Sequence, residues 1–351
     1  LKKKPSIVFV QTAFIGDLFL SLPTLARIRF KHPEHQIILI CKKGLSEIFL
    51  KENKVDLAFE VEKGQSKSYS CTLKKLREFQ IDYIFCPHRS LRSSLFVYQM
   101  KAKHKIGFRN WYNRIFFKNT VVYNKLWPDV IRQMNILSPV DEVLKNEIDK
   151  KDWAYLNFKN GEEKFEIIPD IFSFQNVFKN RYHQTEFIAL FPGSVWRTKQ
   201  WTAEGFSAVT SYLIQADKKV LLMGGPAETL ICAEIHAHNP KAINLAGKLS
   251  LYESYLKLKE CSLIICNDSA PAHMAASLGI PAITIFGPTT VSLGFRPWSN
   301  HSFVVENTKL NCRPCGAHGH HQCPLGHHKC MQDIKAQSVT HVIDQINLRS
   351  P

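Results

Sequence analysis

Five short segments of the chain carry the residue types that proton transfer and phosphate binding require. The first is Gln11-Thr12-Ala13-Phe14-Ile15-Gly16-Asp17, a carboxylate beside a glycine just past an apolar run. Asp17 there reads as a general base or as an acid favouring a helix N-terminus. The second, Pro192-Gly193-Ser194-Val195-Trp196-Arg197-Thr198-Lys199-Gln200-Trp201, offers backbone N–H groups at Gly193 and Ser194 and a point charge at Lys199. That combination suits a phosphate, although the Gly-x4-Gly-Lys-Ser/Thr spacing of a P-loop is absent. The plainer reading makes Trp196 and Trp201 packing anchors and leaves the cations solvated. In the third, Gly224-Gly225-Pro226-Ala227-Glu228, the carboxylate of Glu228 suits a ribose hydroxyl pair.

The fourth segment, Asn267-Asp268-Ser269-Ala270-Pro271-Ala272-His273, places Ser and Pro at a helix start, whose unpaired N–H groups suit a diphosphate. His273 reads as well as a helix packing residue. The fifth, Phe286-Gly287-Pro288-Thr289-Thr290, is a further loop of the same kind. Two more clusters stand apart. Arg89 and Arg92, after Cys86-Pro87-His88, could grip phosphate or carboxylate, or lie solvated on a helix. Near the C-terminus, Cys312, Cys315, Cys323 and Cys330 are interspersed with His318, His320, His321, His327 and His328. A Cys-x2-Cys followed by two more cysteines could hold a structural zinc, but the later spacings are not those of a standard finger. Reduced thiols are the alternative.

These segments need elements to hold them. Short apolar runs alternate with amphipathic stretches: Ser6–Val10, Ile37–Cys41, Val55–Phe59 and Ile81–Cys86 in the first half, and Phe187–Phe191, Lys219–Met223, Leu263–Cys266 and Ala282–Phe286 in the second. Buried strands separated by helices predict parallel sheets, and ligands collect at the carboxyl ends of such strands. All five segments follow an apolar run. The expected organisation is two doubly wound α/β domains, 1–165 and 187–335, joined by a linker over 166–186 and followed by a helix or tail over 336–351. Ser250 with Glu253 has the spacing of a capping box and predicts a helix start.

A length of 351 residues exceeds one ordinary core and suits two domains. With 45% hydrophobic and 22% charged residues, wholesale disorder is excluded. The net charge of +16 expects an acidic partner: nucleic acid, a phosphorylated substrate or an anionic membrane. The basic run Lys101–Arg114, with Phe108, Trp111 and Tyr112 interleaved, fits a membrane surface or a nucleic acid. No stretch reaches the roughly 20 apolar residues of a membrane span, and the N-terminal apolar run is short for a secretory signal, so a cytoplasmic location is expected. No Gly-x-Gly-x-x-Gly follows the first apolar run, which disfavours a nicotinamide dehydrogenase.

Taken in order, Ile15-Gly16-Asp17, Pro192-Gly193-Ser194 with Lys199-Gln200-Trp201, Gly224-Gly225-Pro226-Ala227-Glu228, Asn267-Asp268-Ser269 through His273, and Phe286-Gly287-Pro288-Thr289 closely resemble the glycosyltransferase family 9 heptosyltransferases, which build the inner core of lipopolysaccharide. Ala270 departs from the glycine usual there. The resemblance implies a GT-B architecture of two Rossmann-like domains facing a cleft. It implies an inverting transfer from ADP-heptose to a lipid-anchored core acceptor at the inner membrane, without a required cofactor. Asp17 would then be the base. Gly193, Ser194, Lys199, Glu228, Asp268, Ser269 and His273 would hold the donor, with Lys199 also serving catalysis, and Arg89 and Arg92 would meet the acceptor. The resemblance favours the membrane over nucleic acid as the basic run's partner. Alternatives are a relative using another nucleotide-sugar or acceptor and, from a different class, a basic nucleic-acid-binding protein with a Cys/His metal site.

Overall fold

A computed structural model describes residues 4–153 and 187–347. The chain divides into two compact units, Leu1–Leu156 and Asn157–Pro351. The expected linker, 166–186, lies outside the described residues.

In the first unit β1 (Pro5–Gln11), β2 (Gln36–Lys42), β3 (Leu57–Val61), β4 (Gln80–Cys86), β5 (His104–Phe108) and β6 (Asn119–Val121) form one sheet in the order β3-β2-β1-β4-β5-β6. The second unit contains β7 (Phe187–Phe191), β8 (Lys219–Leu222), β9 (Ile243–Asn244), β10 (Cys261–Asn267), β11 (Ala282–Phe286) and β12 (Ser302–Glu306), ordered β12-β11-β10-β7-β8-β9. All ten strand pairings are parallel. Both sheets therefore have the doubly wound Rossmann order, with the chain reversing direction across the sheet between β1 and β4 and between β7 and β10. Central strands are buried on both faces, as Ile7-Val8-Phe9-Val10 and Ile37-Ile38-Leu39-Ile40 illustrate. That is why they read as unbroken apolar runs rather than alternating ones.

Local chemistry sets the helices. Ser250 accepts from the Glu253 N–H (3.2 Å) while Glu253 accepts from the Ser250 N–H (2.7 Å), the capping box expected from their spacing. Thr202 caps Ala203–Gln215 by accepting from the Gly205 N–H at 3.0 Å. Gly279, at φ 71°, ends Ala270–Leu278 in the left-handed region that glycine enters at least cost. Ala270 opens that helix and is not among the residues with positive φ, so the turn does not demand a glycine there. The C-terminal segment is more than a tail: the helix Ala336–Asn347 buries Val339 and Ile343 in the second unit's core.

The basic run Lys101–Arg114 is not one surface patch. Its first half enters β5, burying Ile106 and Phe108, and only Trp111, at 82% exposure, presents a fully solvated aromatic ring. Among the described residues no helix is long and apolar enough to cross a membrane.

Candidate active site

The loops after β1 and β4 meet at the switch point of the first sheet. Asp17 is the third residue of the helix Ile15–Leu20, and its Oδ2 accepts from the Phe14 N–H at 3.1 Å. Gln133, on the helix Asp129–Asn135, donates through Nε2 to the Asp17 carbonyl at 3.2 Å and to Asp129 Oδ2 at 2.7 Å. Asp129 is buried beside Arg132, whose guanidinium also bonds the carbonyls of Asn124 and Lys125. Burial, reinforced by the Asp129 carboxylate, pushes the Asp17 carboxyl up to about 7, against the Phe14 N–H and the Lys63 ammonium, which lower it. A half-buried acid poised near neutrality can exchange protons at physiological pH.

Lys63 faces it, with Arg92 near that lysine and Arg89 near Asp129. Lys63, two residues past β3, is held below its usual range by burial and by Lys42 and Arg92, with Asp17 opposing the shift. Arg89 lies 3.8 Å over the Tyr123 ring, and its carbonyl accepts from Tyr112 OH at 2.6 Å. Behind these, His88 Nδ1 lies 2.8 Å from both Thr12 Oγ1 and Ser93 Oγ. Burial, aided by Lys63, pulls this imidazole down to about 4, so it is neutral and ties the β1 loop to the β4 loop. Sequence reasoning singled out Asp17, Arg89 and Arg92 but missed Lys63, His88 and Asp129. Lys63 follows a strand end as the others do and was open to the same rule; Asp129 carries no local mark.

In the second unit Asn267 stitches the corresponding loops. Its Nδ2 donates to the carbonyls of Pro192 (2.7 Å) and Gly193 (3.2 Å), and its Oδ1 accepts from the Trp201 N–H (2.9 Å). Next to it, Asp268 Oδ2 receives both Lys199 Nζ and Thr289 Oγ1 at 2.6 Å, with side-chain exposures of 12% for Lys199 and 7% for Asp268. Lys199 is thus an ion-paired cation in a dry setting rather than a lone point charge, and Asp268 is the group that orients it. Ser194 accepts at its carbonyl from Gln200 Nε2 at 2.8 Å. Glu228 accepts from the Gly225 N–H at 2.8 Å and lies across the ends of β7 and β8. A Cβ on Gly193 would stand 2.0 Å from its Cγ, and one on Gly224 2.5 Å from its Cβ, so both glycines make room for this carboxylate.

Ser269 sits at the N-cap of Ala270–Leu278 without using its side chain as a cap. His273, one turn on, is buried, and its Nδ1 has no hydrogen-bond partner among the described residues. Burial pulls it down to about 4, with Asp268 raising and Lys199 lowering it, so a neutral imidazole faces that ion pair. The two tryptophans separate. Trp201 is a packing anchor, 1% exposed and bonded through Nε1 to the Ile334 carbonyl, whereas Trp196 stacks near His318 and His321 at centroid distances of 6.5 and 5.0 Å.

The Cys/His segment packs on the loop that follows β7. Thr198 Oγ1 donates to the His320 carbonyl (2.7 Å) and accepts from the His320 N–H (2.8 Å), and His328 Nε2 lies 2.8 Å from the Thr198 carbonyl. Gly319 passes so close that a Cβ would lie 3.1 Å from Thr198 Oγ1 and 3.3 Å from Lys199 Cγ. The segment is therefore a strap over the turn that carries Lys199. All ten cysteines are free. Burial acts to raise Cys323, but the N–H groups of His328, Leu325, His327 and Gly326 outweigh it and lower the thiol. The four clustered thiols interact electrostatically. Among the described residues, however, the ligand atoms that gather within 4.8 Å of one another belong to another group.

Two six-stranded parallel sheets of Rossmann order, each with polar loops at its switch point, form the architecture of the GT-B glycosyltransferases. The profile of glycosyltransferase family 9 (heptosyltransferase) matches residues 71–327, and the chain belongs to that family. It is a glycosyltransferase. It is 25% identical over 341 residues to lipooligosaccharide heptosyltransferase 2 of Campylobacter jejuni, covering 95% of this chain and 96% of the relative. The crystal structure of a family 9 glycosyl transferase from Veillonella parvula superposes with a TM-score of 0.76 at 21% identity, covering 100% of this chain and 99% of that one. The ADP-heptose lipopolysaccharide heptosyltransferase II of Escherichia coli gives 0.72 at 20% identity, covering 98% and 99%.

Proposed function

We propose that this family 9 enzyme transfers heptose from ADP-heptose to the inner core of lipopolysaccharide by a single displacement with inversion, Asp17 acting as general base. The observation that carries the reading is the Asp17 carboxyl at the switch point of the first sheet, pushed up to about 7 by burial and faced by the Lys63 ammonium. A base near neutrality removes the acceptor hydroxyl proton as the new glycosidic bond forms. The cations Lys63, Arg89 and Arg92 suit an acceptor bearing phosphate or carboxylate. In the second unit Lys199, held by Asp268, together with Ser194 and the N-terminus of Ala270–Leu278 at Ser269, meets the diphosphate. These groups favour the charge that grows on the departing oxygen. Glu228 takes the ribose, Gly193 leaves the space for it, and neutral His273 offers a further polar contact. The ADP-heptose lipopolysaccharide heptosyltransferase II of Escherichia coli supports donor and acceptor, and the lipooligosaccharide heptosyltransferase 2 of Campylobacter jejuni supports the sugar and the acceptor. Exposed Trp111 and Ile115, at 82% and 70%, flanked by Arg109 and Arg114, suit a peripheral position at the cytoplasmic face of the inner membrane.

Calorimetric titration with ADP-heptose, UDP-glucose and GDP-mannose side by side tests the donor. ADP-heptose is expected to bind at least tenfold more tightly than the others. Tighter binding of either rival replaces the ADP-heptose reading with a relative of different donor.

The pH profile tests the base. Turnover should rise with pH through about 7 and level off above it, because only the carboxylate of Asp17 accepts a proton. Lys63 lowers the Asp17 value, so Lys63→Ala should move that limb to higher pH. A limb that stays in place in Lys63→Ala while kcat falls would make Lys63 an acceptor contact only.

A further inference from the structure

We propose a divalent metal site, of zinc type, at His32, Glu34 and His35, on the edge of the first sheet opposite Asp17. One ligand atom from each of these residues lies within 4.8 Å of the other two. The arrangement is built by the backbone. The helix Leu22–Lys31 ends at His32, and the His35 N–H returns to the His32 carbonyl at 3.1 Å, closing a four-residue turn with Pro33 at its second position. Proline fixes that turn, so His32 and His35 face each other, with ring centroids 5.1 Å apart and planes at 74°.

The surroundings have the form that metal-binding histidines require. His35 Nδ1 lies 2.6 Å from Glu34 Oε1, while its other nitrogen, Nε2, lies 3.2 Å from Asp82 Oδ2. A ligating imidazole donates its second N–H to a carboxylate, which fixes the tautomer and strengthens the ligand. Asp82 is in turn held by Lys103 Nζ at 2.9 Å. His35 is 7% exposed, backed by Tyr83, whereas Glu34 is 61% exposed at its side chain and leaves a way in for the ion. Two imidazoles and one carboxylate suit zinc and its neighbours and disfavour magnesium and calcium, which prefer oxygen. The facing charges are mixed: Glu34, Asp82 and Asp141 against Lys31, Lys103 and Arg27.

His35 precedes β2 and Asp82 is the third residue of β4, so the ion would sit at the amino ends of parallel strands, away from the chemistry. Its role is to pin the end of Leu22–Lys31 to the sheet. That helix follows directly on the one bearing Asp17.

The test uses the full chain stripped by a chelator, then equilibrated with zinc or cobalt and analysed for bound metal. The expected result is one equivalent that shows no thiolate charge-transfer band with cobalt and persists in Cys312→Ser/Cys315→Ser. His32→Gln and Glu34→Gln should each weaken that equivalent at least tenfold, and Asp82→Asn about tenfold through orientation alone. Glu34 is exposed, so Glu34→Gln retains the fold; its metal-free melting temperature should equal that of the parent. Unchanged zinc affinity in both His32→Gln and Glu34→Gln overturns the site. So does loss of all bound zinc in the cysteine variant.

Discussion

Asp17→Asn is expected to lower turnover by roughly 10²–10⁴-fold while donor affinity stays within about twofold, the range for a positioned general base. The amide keeps the shape and can still accept from the Phe14 N–H, so the loop has no reason to move. The same change should stabilise the protein in alkali. A carboxyl at about 7 in the folded chain and 3.8 otherwise binds more protons folded than unfolded between those values, so stability falls as pH rises through that window. Above pH 7 the wild type carries the whole penalty of a desolvated anion and the variant carries none. Melting temperatures should therefore favour Asp17→Asn at pH 8, with the gap narrowing by pH 5. Wild-type turnover in the variant removes Asp17 from the mechanism; an equal gap at both pH values removes its raised pKa.

Lys199→Ala is expected to damage stability and chemistry together. It leaves Asp268 buried with Thr289 as its remaining side-chain hydrogen-bond partner among the described residues, and breaking one side of a buried pair costs about 3–5 kcal/mol. It also removes the cation proposed to meet the leaving diphosphate, which should lower kcat as well as weaken ADP-sugar binding. Lys199→Arg should rescue little, because a planar guanidinium is wider than an ammonium, and here the Asp268 oxygen is shared with Thr289 and Gly319 packs over the lysine stem. The double variant Lys199→Ala/Asp268→Ala separates the two effects. Removing both charges should recover much of the stability and none of the turnover. Recovery of turnover in the double variant would assign Lys199 to folding alone.

What the sequence disclosed follows from where energy is concentrated along it. The central strands announce themselves because burial on both faces makes Ile37–Ile40 or Leu263–Cys266 continuously apolar. Ser250 and Glu253 fix a helix start through contacts three residues apart. The shortest edge strands were hidden, β6 and β9 spanning three and two residues, and so was β5, an inner strand inside a run whose lysines suggested a surface. The expected strand Val55–Phe59 is displaced to Leu57–Val61, since only pairing with β2 sets its register. For the site, the strand-end rule located the loops, but not which members bond to one another. The Lys199–Asp268 pair joins residues 69 apart, and Thr198 meets His320 at a separation of 122. No local pattern encodes such distances. Asp129, which helps to raise Asp17 from 112 positions away, was invisible for the same reason.

The strap over Thr198 also sets an order in time. Ribosomes deliver the chain from its amino end, and β12 finishes at Glu306, so every described strand of the second sheet can pair before the strap exists. The turn that carries Lys199 acquires His320 and His328 only afterwards, and Trp201 finds the Ile334 carbonyl later still. A nascent chain that already has its Rossmann sheet therefore lacks the groups that fasten the Lys199 turn. The Lys199 turn is fastened only after the whole described second sheet has been synthesised. A messenger truncated between the codons for Glu306 and His320 would yield a polypeptide with both sheets encoded but the lysine turn unfastened.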